Sequence, residues 1–281
     1  MIRLVSACAV ALFVARPAQA FVVYDTGSQA KIGCGIPQPQ VLHWERSAIP
    51  YHLAVDKSGG LDLDDVEDTV KLSFDAWAEP VCFTDGRTLR YDGRVPSATV
   101  GFDAAPGAKN VNAVLFVDSG WSHGPGVLGL TTLTYDRCGG VIVDADIELN
   151  DQEFDFSVSA VPPTGRTDLR NTVTHEAGHF LGLDHSKLPK ATMYAKAPSG
   201  ETIKRDLEQD DIDGLCSIYE GLATCDVDCD GPSGSTSGGG GGGCAGAGGG
   251  AGPAALLLLA LTRAFRASRR RPGGAAPAPP R

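Results

Sequence analysis

Apolar positions between residues 61 and 79 recur at helical spacing: Val66, Val70, Phe74 and Trp77 fall on one stripe, and Pro80 ends the run. Asp64 followed three residues later by Glu67 reads as a capping box, so a helix is predicted over 61–79. Elsewhere the period shortens. Residues 49–55, 88–91, 98–102, 111–117 and 127–135 are apolar or β-branched runs of strand length. Residues 141–149 alternate strictly, with Val141, Val143, Ala145, Ile147 and Leu149 on one face and Asp144, Asp146 and Glu148 on the other. That pattern predicts a strand whose acidic face is solvated, or whose carboxylates, with Asp151, supply oxygen ligands to Ca²⁺. A further helix is predicted where Thr167 or Asp168 caps a stripe of Leu169, Val173, Phe180 and Leu181.

Both ends have a different character. Residues 1–20 combine Arg3, an apolar run over 4–14 and the small-residue site Ala18-Gln19-Ala20, the arrangement of a secretory signal peptide. From Cys225 onward the composition turns to Gly and Ser, with an unbroken Gly run over 238–243, and a linker is read over 225–243. Beyond it, 244–281 holds Cys244, an apolar patch over 254–261 and the cluster Arg263, Arg266, Arg269, Arg270 and Arg271. An apolar patch followed by arginines halts export with the basic side inward, yet this one is well short of the roughly 20 residues of a stable span. The folded region is therefore expected over 21–224. It carries 16 Lys and Arg against 31 Asp and Glu, which disfavours nucleic acid as a partner.

Export implies an oxidising compartment, where paired cysteines are the default. Without Cys8, in the leader, and Cys244, in the tail, six remain: Cys34, Cys82, Cys138, Cys216, Cys225 and Cys229. Six allow about fifteen pairings, and the sequence does not choose among them. Cys225 and Cys229 are spaced to close a small local loop.

The chemistry concentrates in His175-Glu176-Ala177-Gly178-His179-Phe180-Leu181-Gly182-Leu183-Asp184-His185, which reads HExxHxxGxxH. Four residues apart on a helix, His175 and His179 share one face and can close on a single Zn²⁺. Glu176, beside a ligand, is placed to act on water as a general base. Gly182 permits a left-handed turn that returns His185 to the same metal. Three neutral nitrogens leave a fourth position open, the hallmark of a catalytic rather than a structural zinc.

With Ala191-Thr192-Met193-Tyr194-Ala195 eight residues further on, the segment resembles the metzincin metallopeptidases, and among them the matrixins. The stretch 207–219, with Asp210, Asp211 and Tyr219, is similar to that family's C-terminal helix. The resemblance implies an α/β (α+β) layered domain: a twisted sheet, the zinc helix, a Met-turn with Met193 beneath the metal, and a final helix. It further implies that Val127, Leu128 and Gly129, within 126–131, form an edge strand that adds an extended peptide, and that Tyr194 and its neighbours to Ser199 wall the pocket after the scissile bond. Two departures stand out: Ala195 replaces a frequent Pro, and only His123 represents the residues that hold a second, structural zinc in vertebrate members. Cys34-Gly35-Ile36-Pro37 resembles the matrixin latency switch in part, but Gly33 and Gln38 stand at the flanking positions, and a disulfide is the preferred reading. The tail resembles the MYXO-CTERM signals of exported bacterial proteins, in which a Cys at the position of Cys244 is the anchor.

The sequence thus points to a secreted zinc endopeptidase, active as a monomer on proteins and peptides and held at the outer cell surface by its tail alone. The alternative is a non-proteolytic surface adhesion protein that keeps the metal fold. Glu176 speaks against it, since a structural site has no use for a base beside a ligand.

Overall fold

The structure, a computed structural model, describes residues 20–27 and 38–222, and the backbone of 255–263. The signal segment before residue 20, Cys34, Cys225, Cys229, the Gly tract and Cys244 lie outside the described residues.

Eleven strands and three α-helices are described. In chain order they are β1 (Val22–Val23), β2 (Ala48–Ala54), α1 (Leu63–Ala78), β3 (Thr88–Val95), β4 (Ala113–Val117), β5 (Val127–Tyr135), β6 (Ile142–Asn150), β7 (Phe156–Ser157), β8 (Thr167–Asp168), α2 (Leu169–Phe180), β9 (Leu183–Asp184), β10 (Lys196–Ala197), α3 (Gln209–Tyr219) and β11 (Ala255–Arg263). Seven strands form one mixed sheet in the order β10-β11-β5-β6-β4-β2-β3. β3, β2, β4 and β6 run parallel, and β5 turns antiparallel to β6. Helices α1 and α2 pack together, fastened by the Trp77 indole N–H donating to the Thr174 carbonyl at 2.8 Å. Phe74 stacks on Tyr51 from β2 and meets Phe180 from α2 edge-on, so the predicted stripe of α1 is the seam between sheet and active-site helix. Each of these large side chains, buried fully, contributes about 2–3 kcal/mol.

The helix start differs from expectation. Asp62 is the cap of α1, accepting the N–H groups of Asp64 and Asp65, while Asp64 and Glu67 both pair with Arg94 on β3. A long basic side chain within reach outcompetes a local return to the backbone. Residues 98–102 form no strand. Gly101 is left-handed, with φ +92°, and its N–H donates to the Asp146 carboxylate at 2.7 Å.

That contact also corrects the reading of β6. Asp144, Asp146 and Glu148 are buried, like Ala145, Ile147 and Leu149 on the opposite face. The 98–112 loop folds over the acidic face, and the N–H groups of Gly101 and Ala113 supply the hydrogen bonds that solvent would have given Asp146. Burial pushes Asp144 up to about 6 and Asp146 up to about 8. Glu148 instead pairs with His123 at 3.2 Å.

The Cys82–Cys216 disulfide joins the loop after α1 to α3. Cys138 is also disulfide-bonded. At the other end of α3, the Asp210 carboxylate accepts the N–H groups of Ala20 and Phe21 and the Ser186 hydroxyl, tying the start of the described chain to the last helix.

Candidate metal centre and active site

Helix α2 begins at Asp168, whose carboxylate accepts the Asn171 N–H at 2.7 Å and is braced by Arg205. From Asn171 to Phe180 every residue of the helix is buried, the histidines included. Gly182 follows at φ +98°, and a Cβ there would lie 2.5 Å from the Leu42 carbonyl oxygen. Only glycine meets both conditions, and the chain reverses into β9, which carries the third histidine back.

His175, His179 and His185 converge, with their ligand-type nitrogens all within 4.8 Å of one another. The Nε2 atoms of His179 and His185 are 3.2 Å apart. Each helix histidine is oriented by a backbone carbonyl on its other nitrogen: His175 Nδ1 donates to Thr192 at 2.6 Å and His179 Nδ1 donates to Leu183 at 2.8 Å. A carbonyl only accepts, so in both rings Nδ1 carries the proton and Nε2 keeps its lone pair for a metal. The Nε2 of His175 is buried without a protein hydrogen-bond partner. Burial, reinforced by the neighbouring imidazoles, holds His175 and His179 well below the usual histidine range, in the neutral form a metal needs. The donor set therefore fits Zn²⁺. Among the described residues no other group of three or more His, Cys, Asp or Glu is arranged to hold one ion. Asp144, Asp146, Glu148 and Asp151, read from the sequence as Ca²⁺ oxygens, are not among the side-chain groups brought within 4.8 Å of one another in the described residues.

Glu176 is fully buried, and its Oε2 accepts the Thr131 hydroxyl of β5 at 2.7 Å. The same hydroxyl lies 3.1 Å from the Glu176 carbonyl. A Cβ at Gly129 would sit 3.1 Å from Oε1, so glycine at that place on β5 leaves the carboxylate its room. Met193 lies under the helix at Gly178, where an added Cβ would come within 2.2 Å of the Met193 sulfur. The turn that carries Met193 is pinned by Asp211 of α3, which accepts the N–H groups of Thr192 and Met193 at 2.8 and 3.0 Å.

Of the residues expected to meet substrate, Val127, Leu128 and Gly129 begin β5 with the Leu128 side chain in the core, but β5 is not the edge strand expected, because β11 pairs with it on the side away from β6. Tyr194 follows the Met-turn, its ring 5.9 Å from the buried Lys204 ammonium. Asp211 belongs to the C-terminal helix read from the sequence, whereas Thr131 carries no sequence signal for its place here. Thr131 is one of three threonines in β5, and only three-dimensional register selects it. Tyr24 was missed as well: its hydroxyl donates to Asp184 at 2.6 Å and its ring lies 6.2 Å from that of His179. Burial, then Asp184, raises its phenol above the ordinary range.

Residues 43–220 match the family model described as Matrixin. The chain is similar to neutrophil collagenase of Homo sapiens, 28% identical over 211 residues that make up 71% of this chain and 39% of the relative. Stromelysin-1 of Mus musculus is 28% identical over 203 residues, 69% of this chain and 38% of the relative. Hatching enzyme of Paracentrotus lividus is 29% identical over 193 residues, 66% and 29% of the two chains. The chain thus spans less than two fifths of the length of these relatives.

Proposed function

The chain belongs to the matrixin family, and from that premise we propose that it is an exported, surface-tethered zinc-dependent endopeptidase. The observation that carries this reading is the convergence of three imidazoles, two of them buried and held neutral, beside a buried carboxylate held by Thr131 one position after the first ligand. A metal site kept only for structure needs the triad and has no use for the carboxylate.

His175, His179 and His185 would hold the Zn²⁺. When bound, the ion supplies Lewis acidity, polarising a carbonyl and bringing the pKa of water towards about 7. Glu176 takes the proton of the attacking water on its carboxylate and passes it to the leaving amine nitrogen. Thr131, donating to Oε2, fixes the rotation of that carboxylate. The backbone of β5 at Val127, Leu128 and Gly129 aligns an extended peptide, and the segment of Tyr194 and β10 walls the residue after the scissile bond. Recognition through main-chain groups makes the substrate class proteins and peptides of many sequences.

The signal segment and the tail support export and surface attachment, with Cys244 as the anchoring residue. No described helix is long and apolar enough to cross a membrane. Incubating the full chain with a mixed peptide library, with and without a zinc chelator, tests the activity. Cuts that vanish with the chelator and return with zinc are expected; an uncut library with zinc bound would leave the adhesion reading. For the tail, Cys244→Ser should release the protein from the surface fraction, and unchanged retention would refute the anchor.

A further inference from the structure

The apolar run of the tail, read above as part of a sorting signal, has a definite place on the catalytic domain. β11 pairs antiparallel with β5 along its length, from Ala255 opposite Tyr135 to Thr262 opposite Val127. On its other side it pairs parallel with β10, Thr262 with Lys196 and Arg263 with Ala197. Helix α2 lies against the same strand. One extended segment therefore fills the space between the rim strand and the segment after the Met-turn, above the helix that carries His175, Glu176 and His179.

The register sharpens the point. Thr131 and Gly129 are the β5 residues that touch or make room for the Glu176 carboxylate. Directly across the ladder from residues 129–131 stand Leu261, Ala260 and Leu259. Neighbouring strands are about 4.8 Å apart, so the backbone of these three residues runs past the catalytic carboxylate as a substrate backbone would. Without β11, β5 would keep its pairing with β6 and present one open edge along its length, a template for any available strand.

We propose that residues 255–263 occupy the substrate groove in cis, as a Leu- and Ala-rich competitor that keeps the enzyme latent until the tail is drawn into the membrane or removed. The proposal rests on the groove assignment made under the proposed function. It also ties two properties of one segment together: while the tail is engaged in sorting it cannot fill the groove, and while it fills the groove substrate cannot enter. A ligand tethered to its site acts at an effective concentration on the order of 1 mM. With a trans affinity on the order of 0.1 mM, the tail would raise the apparent KM about tenfold and leave kcat alone.

The test uses the full zinc-loaded chain and the double variant Leu258→Pro/Leu259→Pro. Successive residues of an antiparallel strand point their N–H groups to opposite sides, so one of the two prolines removes a bond to β5. The variant should show a KM about tenfold lower at equal kcat, and faster amide exchange at residues 128–134. Adding a synthetic peptide of residues 253–265 should bring the variant's KM back up. Equal KM and equal exchange in the two proteins would overturn the proposal, as would a peptide that does not compete. If exchange changes as expected but neither protein cuts any peptide, the tail pairing stands and the peptidase reading falls.

Discussion

Gly178→Ala separates helix propensity from packing at the metal centre. Gly178 lies in the last turn of α2, where alanine is intrinsically better by up to about 1 kcal/mol. Propensity alone therefore forecasts a stabler protein. The surroundings forecast the reverse. A Cβ there would stand 2.2 Å from the Met193 sulfur and 2.6 Å from Cζ2 of Trp77, well inside van der Waals contact. Trp77 is pinned through its indole N–H to Thr174, so Met193 has to give way. Overpacking of this kind costs about 1–3 kcal/mol, leaving a net loss of up to about 2 kcal/mol after the propensity gain. For a domain of this size that lowers Tm by up to about 8 °C. The displacement also reaches the metal, because Met193 follows Thr192, whose carbonyl orients His175. The variant should lose zinc at a lower chelator concentration than the wild type. Calorimetry of the metal-free protein and a chelator titration read the two effects. A Tm at or above that of the wild type, with unchanged zinc affinity, would refute the reasoning.

Glu176→Gln should keep fold and zinc while losing about 10²–10⁴ of the turnover, read as kcat beside metal content; half-activity would dismiss Glu176 as the base. Cys82→Ser/Cys216→Ser removes a cross-link across 134 residues, with a chain-entropy ceiling of about 5 kcal/mol, and denaturant midpoints should drop accordingly. Because burial raises Asp144 to about 6 and Asp146 to about 8, the folded state holds protons that the unfolded chain has released. Their contribution to stability is complete below about pH 4 and is lost as pH rises towards 8. In metal-free protein, Asp146→Asn should flatten that slope; an unchanged slope would mean the pair does not titrate there.

The sequence made local, periodic features legible. The α1 stripe, β5 and the zinc helix each follow from spacing within a dozen residues, and the triad follows from the geometry of one helix and one glycine turn. What it hid was non-local. Asp64 reads as the cap until Arg94 on β3 takes it and leaves Asp62 to cap the helix. The acids of β6 look solvent-facing because nothing in their own alternation announces the loop that covers them. Thr131 becomes a partner of Glu176 only once β5 is laid over α2. Likewise the apolar tail carries an obvious export pattern and no local mark of its pairing with a strand more than a hundred residues earlier.

The orientation of the two helix imidazoles has a consequence for the life history of the protein. Their Nδ1 bonds run to the carbonyls of Thr192 and Leu183, and the Thr192 turn is itself held by Asp211. None of these bonds requires an ion, so the histidines are aimed by the main chain alone. Folding and metal loading are then separable events: the chain can form its disulfides and core first and take up zinc as the final step. Scarcity of zinc would accordingly leave a folded protein waiting, rather than a chain exposed to degradation.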